Sequence, residues 1–281
     1  MTRPPDLTDR HALALHRARA LRAGPALFLH EAAAAEIKER LNEVNRTFTA
    51  PAVVTPFEKP WAEILPSARL VAADETLTLD PGAHDLVIHA LALHWSNDPV
   101  GQLIQCRRAL KPDGLFLGVL FGGRSLHELR GAMAEAETAI LGGLSPRVLP
   151  MAEIRDAGGL LQRAGLALPV ADCAEISLSY KDLHRLMHDL RAMGETNSLA
   201  ARHRRPAPRR LFDEAARRYA EIHTMPDGRI PATVEMIYLA GWAPAETQPQ
   251  ALKPGSARMR LADALGAHTP RPGSGDSGSS D

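Results

Sequence analysis

Two apolar runs, Asp85-Leu-Val-Ile-His-Ala90 and Leu115-Phe-Leu-Gly-Val-Leu-Phe121, constrain this chain more than any other feature. Neither alternates with polar residues, so each reads as a strand buried on both faces, the pattern of the centre of a parallel sheet. Parallel neighbours need a crossover between them. The sequence supplies one: a helical stretch capped by Asn97 or Asp98 and running through Leu110, then the turn Lys111-Pro-Asp-Gly114.

The same alternation extends outward. Ala52-Val-Val-Thr55 and Arg69-Leu-Val-Ala-Ala73 read as strands, with one or two helical turns at residues 61–65 between them and a turn at Asp80-Pro-Gly82. Downstream, helices are expected at residues 125–141 and 152–163, the second stopped by Gly165. Ser125 and Glu128 have the spacing of a capping box at the start of the first. An alternating strand at 168–180, a helix at 181–193 ending at Gly194, a helix reaching Ile222 and a last strand at 233–240 follow. Two helices open the chain, at residues 9–22 and 27–44; Leu29, Ala33, Ile37 and Leu41 give the second one apolar stripe. These patterns predict an α/β fold with a mostly parallel sheet and helices on both faces. Its expected parts are N-terminal helices over 1–46, a main domain over 47–245 with a helical insertion at about 181–225, and a tail over 246–281, mostly disordered and rich in Pro, Gly, Ser and Asp from His268.

Composition excludes several classes. The formal net charge is zero, which argues against electrostatic affinity for nucleic acid. One basic run, Arg202-His-Arg-Arg-Pro-Ala-Pro-Arg-Arg210, reads either as a solvated loop or as a contact for an acidic partner or RNA. Cys106 and Cys173 form no C-x-x-C pair, so neither a zinc site nor a redox dithiol is expected, and isolated thiols suit a reducing compartment. The longest apolar run, residues 86–95, is too short to cross a bilayer. The first helical stretch has the composition of an amphipathic transit peptide, but Asp6 and Asp9 before it, and the helix directly after it, favour a domain helix.

Strand, loop, helix, Lys-Pro-Asp-Gly turn and strand, in the order of residues 85–121, resemble the second half of the S-adenosylmethionine-dependent methyltransferase fold. Phe121-Gly-Gly123 with Leu126-x-Glu128-Leu-Arg130, Met193-Gly-Glu-Thr-Asn197, and Asp227-Gly-x-Ile-Pro-Ala-Thr233 with Gly241-Trp242 are similar to a narrower family. That family is the fifth assembly factor of respiratory complex I and its bacterial relatives; Asp9-Arg10 and Arg17-x-Arg19-Ala20 agree with it. The resemblance covers most of residues 9–242. It implies a Rossmann-like methyltransferase fold and hydroxylation of an arginine on a quinone-module subunit of a respiratory NADH dehydrogenase during assembly. It also implies a cytoplasmic protein in a bacterium that meets the inner membrane through its partner, with no membrane segment of its own. The wider fold family includes malonyl-carrier-protein O-methyltransferases, which share the Leu-x-Trp pattern of Leu93-His-Trp95.

One segment departs from that pattern. The family's loop after its first strand is acidic and glycine-rich, so backbone amides can reach the methionine end of the cofactor. Here strand one runs into Pro56-Phe-Glu-Lys-Pro60, with no glycine from Val53 to Arg69. Proline removes amide donors and fixes φ. The stretch to Asp85 is also too short for the further strand whose terminal acid grips the ribose. S-adenosylmethionine is therefore the cofactor of the family, with weak or absent binding expected in this chain. Three readings stay open: an arginine hydroxylase whose oxidant the sequence does not name, a non-catalytic assembly or binding protein with a degenerate cofactor site, and a methyltransferase.

Ligands in such folds bind at the carboxyl ends of the strands. Asp74, Glu75 and His94 are the candidate cofactor contacts, Asp74 aligning with the family acid at the adenine. Trp95, Gly122, Gly123, Glu195 and Asn197 are candidates for contact with substrate or partner, Glu195 because a carboxylate pairs with a guanidinium. His94 and Trp95 read equally as packing residues, and Met193-Gly-Glu-Thr-Asn197 as a helix C-cap with a solvated loop. His184 and His188, four apart on a helix, could share an iron ion, but Asp189 points about 100° away from them. No metal site is expected.

Overall fold

The computed structural model describes residues 5–248. β1 (Pro51–Val54), β2 (Arg69–Val71), β3 (His84–Ala90), β4 (Leu110–Phe121), β5 (Ala167–Tyr180) and β6 (Ile230–Trp242) form one sheet ordered β2-β1-β3-β4-β6-β5. From β2 to β4 neighbours are parallel, and β6 returns antiparallel between β4 and β5. Among the described residues β2 is the single strand between β1 and β3, as the short spacing requires.

The helices are α1 (Arg10–Ala23), α2 (Phe28–Glu43), α3 (Lys59–Ile64), α4 (Pro99–Ala109), α5 (His127–Leu141), α6 (Ile154–Arg163), α7 (Leu183–Ala192) and α8 (Arg209–His223). Both faces of the sheet are covered because successive side chains of a strand point to opposite sides. Ala52, Val54, Val87 and Phe116 pack with Leu103 and Cys106 of α4 and Leu161 of α6. Their neighbours Val53, Leu86, Ile88 and Leu115 pack with Leu29, Ala33 and Ile37 of α2 and Trp61 of α3. A third cluster joins α5, α7 and α8 to the start of β6 through Leu129, Leu186, Tyr219 and Ile230.

α1 is part of this fold. Asp9 caps it by accepting from the Ala12 amide (3.0 Å), and Thr8 is held by Asn97 (2.8 Å). Arg202 and Arg204 of the basic run pair with the same Asp9 (2.9 and 3.3 Å), so that part of the run is tied to the helix start. The predicted tail from His268 lies outside the described residues.

Two local expectations are corrected. The Lys111-Pro-Asp-Gly turn does not precede a separate strand: β4 begins at Leu110, opposite His84, and takes the turn internally with Asp113 at φ 60°. The capping box at Ser125 and Glu128 does not form. Leu126 precedes α5 at φ 54° without a side-chain cap. Ser125 Oγ instead donates to the Glu235 carbonyl and accepts the Glu235 amide, both at 3.0 Å. Buried Glu128 accepts from the Thr233 amide (3.1 Å) and hydroxyl (2.5 Å). Both acceptors were drawn across the chain to β6, where buried donors cost more to leave unpaired than exposed helix amides.

Candidate functional site

The site is built where β3 and β4 end. After Ala90 the chain turns through Leu91 at φ 45° into a 3-10 turn, Leu93–Trp95, which buries His94 and Trp95. A second element arrives from α7. Gly194, at φ 74°, reverses the chain, and the Glu195 amide closes the helix on the Leu190 carbonyl (2.9 Å). Glycine is required here twice over: the φ is left-handed, and a Cβ would lie 3.1 Å from Cγ and 3.2 Å from Cα of Arg17. The motif is thus a helix C-cap, but its loop turns inward instead of being solvated.

That inward turn carries the Glu195 carboxylate to the 3-10 turn. Its Oε2 accepts from Trp95 Nε1 (2.6 Å) and His94 Nε2 (3.3 Å), and the Glu195 side chain is only 10% exposed. The His94 ring packs on Phe121 at 4.8 Å between centroids. Burial pushes the Glu195 carboxyl up, but His94, Arg17 and the Trp95 hydrogen bond outweigh it and hold the group below its ordinary value of 4.5. The cluster is incompletely satisfied. Glu195 Oε1, His94 Nδ1, Thr196 Oγ1 and Arg17 Nε and Nη2 are buried without a partner. Such atoms are costly unless something meets them.

Glu195 lines one end of a cavity of about 290 Å³ between β4, β6, α5 and α7. Trp95, which donates to Glu195, and the following Thr196 and Asn197 also line it, and most of the remaining wall is aliphatic or thioether. Asn197 Nδ2 donates to the Pro146 carbonyl (2.8 Å), so it also fixes the segment that carries Arg147 into the wall.

The residues singled out from sequence therefore divide. His94, Trp95, Glu195 and Asn197 come together. Asp74 and Glu75 do not join them. The Asp74 side chain is 74% exposed, 3.6 Å from Arg10, and Gln102 Nε2 donates to the Asp74 and Glu75 backbone carbonyls (2.7 and 2.9 Å) while its Oε1 meets His89 Nε2 (3.2 Å). Glu75 borders a separate polar hollow with Asn97 and Gln105. Gly122 and Gly123 lie against carboxylates: a Cβ would stand 2.3 Å from Glu235 and 2.4 Å from Glu153. His184 and His188 are exposed on α7, and among the described residues no three His, Cys, Asp or Glu side chains are grouped to hold a metal ion. Sequence reasoning missed Arg17 and Arg147 as parts of the site. Arg17 stood inside the Arg17-x-Arg19-Ala20 motif, which was the available signal.

Residues 55–60 fold back on themselves. The Thr55 amide donates to Val71 (2.9 Å), and Thr55 Oγ1 both accepts the Phe57 amide (3.2 Å) and donates to its carbonyl (3.1 Å). Pro56 and Pro60 have no amide to offer. Phe57 and Trp61 are buried, with Phe57 edge-on to His30 at 5.1 Å and Trp61 Nε1 donating to His30 Nδ1 (3.4 Å). A bend that lacks an amide at Pro56 and Pro60, spends those of Thr55 and Phe57 on Val71 and Thr55, and packs Phe57 and Trp61 beside it is a poor fit for the methionine end of S-adenosylmethionine.

Known proteins place the chain in context. Residues 26–118 match the family model described as a methyltransferase domain. Over 199 residues, 71% of this chain, it is 38% identical to "Arginine-hydroxylase NDUFAF5, mitochondrial" of Homo sapiens, covering 57% of that protein. The Danio rerio protein of the same name is 36% identical over 199 residues, of which the match covers 62%. "Malonyl-[acyl-carrier protein] O-methyltransferase" of Halorhodospira halophila is 35% identical over 225 residues, covering 78% of this chain and 72% of that protein. The chain thus spans about three fifths of the length of the NDUFAF5 relatives. Among the described residues no helix is long and apolar enough to cross a membrane.

The buried histidines give the site a pH signature. Desolvation pushes His30 and His89 down to about 4 from 6.5. Between those values the unfolded chain binds the extra protons, so stability is full above pH 6.5 and falls as the pH drops, by up to on the order of 3 kcal/mol per histidine. Urea unfolding should show a lower midpoint at pH 5 than at pH 7, and a His30→Gln, His89→Gln double variant should flatten that dependence. A wild-type midpoint that does not move over this range contradicts the burial.

Proposed function

Because the chain belongs to the S-adenosylmethionine-dependent methyltransferase superfamily and is similar over most of its length to the NDUFAF5 proteins, we propose that it acts on an arginine of a respiratory NADH dehydrogenase subunit. The subunit is one of the quinone module, engaged during assembly, and the arginine is received by Glu195. The observation that carries this reading is Glu195 Oε1: a buried carboxylate oxygen without a partner, on a side chain that lines the cavity. A guanidinium presents N–H groups in a planar fork that suits such an acceptor, and the apolar wall strengthens the pairing by excluding water. An ammonium matches that geometry less well.

Methyl transfer is not the reaction this site supports. That two of residues 55–60 are prolines, that the Thr55 and Phe57 amides are already engaged, and that Phe57 and Trp61 are buried beside them supports weak or absent binding of S-adenosylmethionine. Hydroxylation, the activity in the relatives' name, transfers no methyl group and does not depend on that loop. The same bend also favours a second reading: the chain holds the arginine for another catalyst, its own cofactor position having closed.

Two experiments test this. Deleting the gene should abolish the gain of one oxygen atom on the subunit's arginine, read by mass spectrometry; wild type should restore it and Glu195→Ala should not. Purified chain that adds the oxygen to the subunit unaided is the hydroxylase, and chain that binds the subunit without doing so is the holder. An unchanged arginine mass after deletion overturns the assignment. Separately, S-adenosylmethionine at one hundred times a micromolar-range Kd would stabilise by about 2.7 kcal/mol. That corresponds to roughly 5 °C or more in Tm for a domain of this size. No shift is expected, and one of that size contradicts the closed bend.

A further inference from the structure

We propose that the cavity selects an arginine accompanied by a bulky apolar side chain, so that the substrate is a protein segment in which leucine-, methionine- or phenylalanine-like residues flank the arginine. This rests on the reading of Glu195 as the guanidinium acceptor and adds what the remainder of the cavity is for.

The argument is one of unmatched surface. An arginine side chain offers three methylenes before its charged head. With that head on Glu195, the methylenes meet the part of the lining that includes Trp95 and Met193. Met187 of α7 precedes Met193 by six residues, on the order of 9 Å along the helix. It lines the cavity with Leu186, with Leu129 and Met133 of α5, and with Phe212 of α8, and a lone arginine held at Glu195 leaves that part of the lining unfilled. Water would fill it poorly, because an apolar wall provides few of the hydrogen bonds that hold an ordered water. A void there forfeits the dispersion contacts of every side chain around it. A second side chain of the same segment satisfies the wall. The thioethers of Met133 and Met187 adapt to shape, which makes the preference one for bulk and apolarity rather than for a single residue.

The opening agrees with an entering segment. Arg191 is exposed, and Met187, Val148 and Phe212 are half-buried, placing the mouth among α7, α8 and the segment before Leu149. Arg147 stands in this wall with Nη2 on Glu137 (2.7 Å), and its Nε is buried without a partner. That free donor suits a backbone carbonyl of a bound segment.

Fluorescence anisotropy with the full chain and three labelled peptides tests the proposal: arginine between two leucines, arginine between two alanines, and lysine between two leucines. The first should bind about 10- to 100-fold more tightly than the second, and at least about tenfold more tightly than the third. Met187→Trp, which fills the half-buried mouth, should bring the leucine peptide down to the alanine peptide's affinity; a thermal melt checks that the variant is folded. Equal affinity of the two arginine peptides for wild type overturns this inference and leaves Glu195 as the acceptor. Failure to distinguish arginine from lysine, or no binding of either arginine peptide, overturns the reading of Glu195 and this inference with it.

Discussion

The hydrogen bonds from Trp95 and His94 to one oxygen of Glu195 join the two parts of the molecule on which the site depends. Trp95 and His94 are fixed by β3, at the centre of the sheet; Glu195 is fixed by the end of α7. A buried carboxylate is unfavourable unless it is met by donors or opposite charge. Spending both donors on Oε2 leaves Oε1 as the unmet acceptor, and His94, with Arg17 and the Trp95 hydrogen bond behind it, keeps the group ionised against its burial. Arg17 contributes because Gly194 lets the backbone of α1 come close. Sheet, N-terminal helix and helical insertion thus converge on one side chain.

The bend at residues 55–60 shows what this arrangement displaces. Phe57, Trp61 and His30 form a packed apolar and aromatic group where the family places a flexible amide cradle. The cavity that holds Glu195 is lined instead by residues of α5, α7 and α8. Fold and binding position have come apart, as happens when one scaffold hosts different sites.

Much of the fold was legible because the two central strands are apolar at nearly every position, and burial on both faces leaves few other structures for such runs. The proline bend was legible for a local reason: proline's missing amide is visible in one residue. The capping box was not, because Ser125 and Glu128 obey a local rule while β6, more than a hundred residues away, offers buried donors that outcompete it. The candidate site was half legible. Glu195 and Trp95 stand in motifs, and so were found, but their contact spans a hundred residues of sequence and nothing local announces it. Asp74 and Glu75 were placed by alignment with an acid whose cofactor loop this chain has replaced, and their side chains lie at the surface. Arg17 was hidden because a charged residue on a short helix reads as solvated until the packing of α1 against Gly194 is known.

The account stands on the Glu195 carboxylate being ionised while nearly buried, since a neutral acid there would not draw a guanidinium. Carbon-13 NMR of the glutamate side-chain carboxyls, with Glu195→Gln used to assign the resonance, measures this directly. The account predicts titration below the ordinary 4.5; a Glu195 that titrates above that value would contradict it.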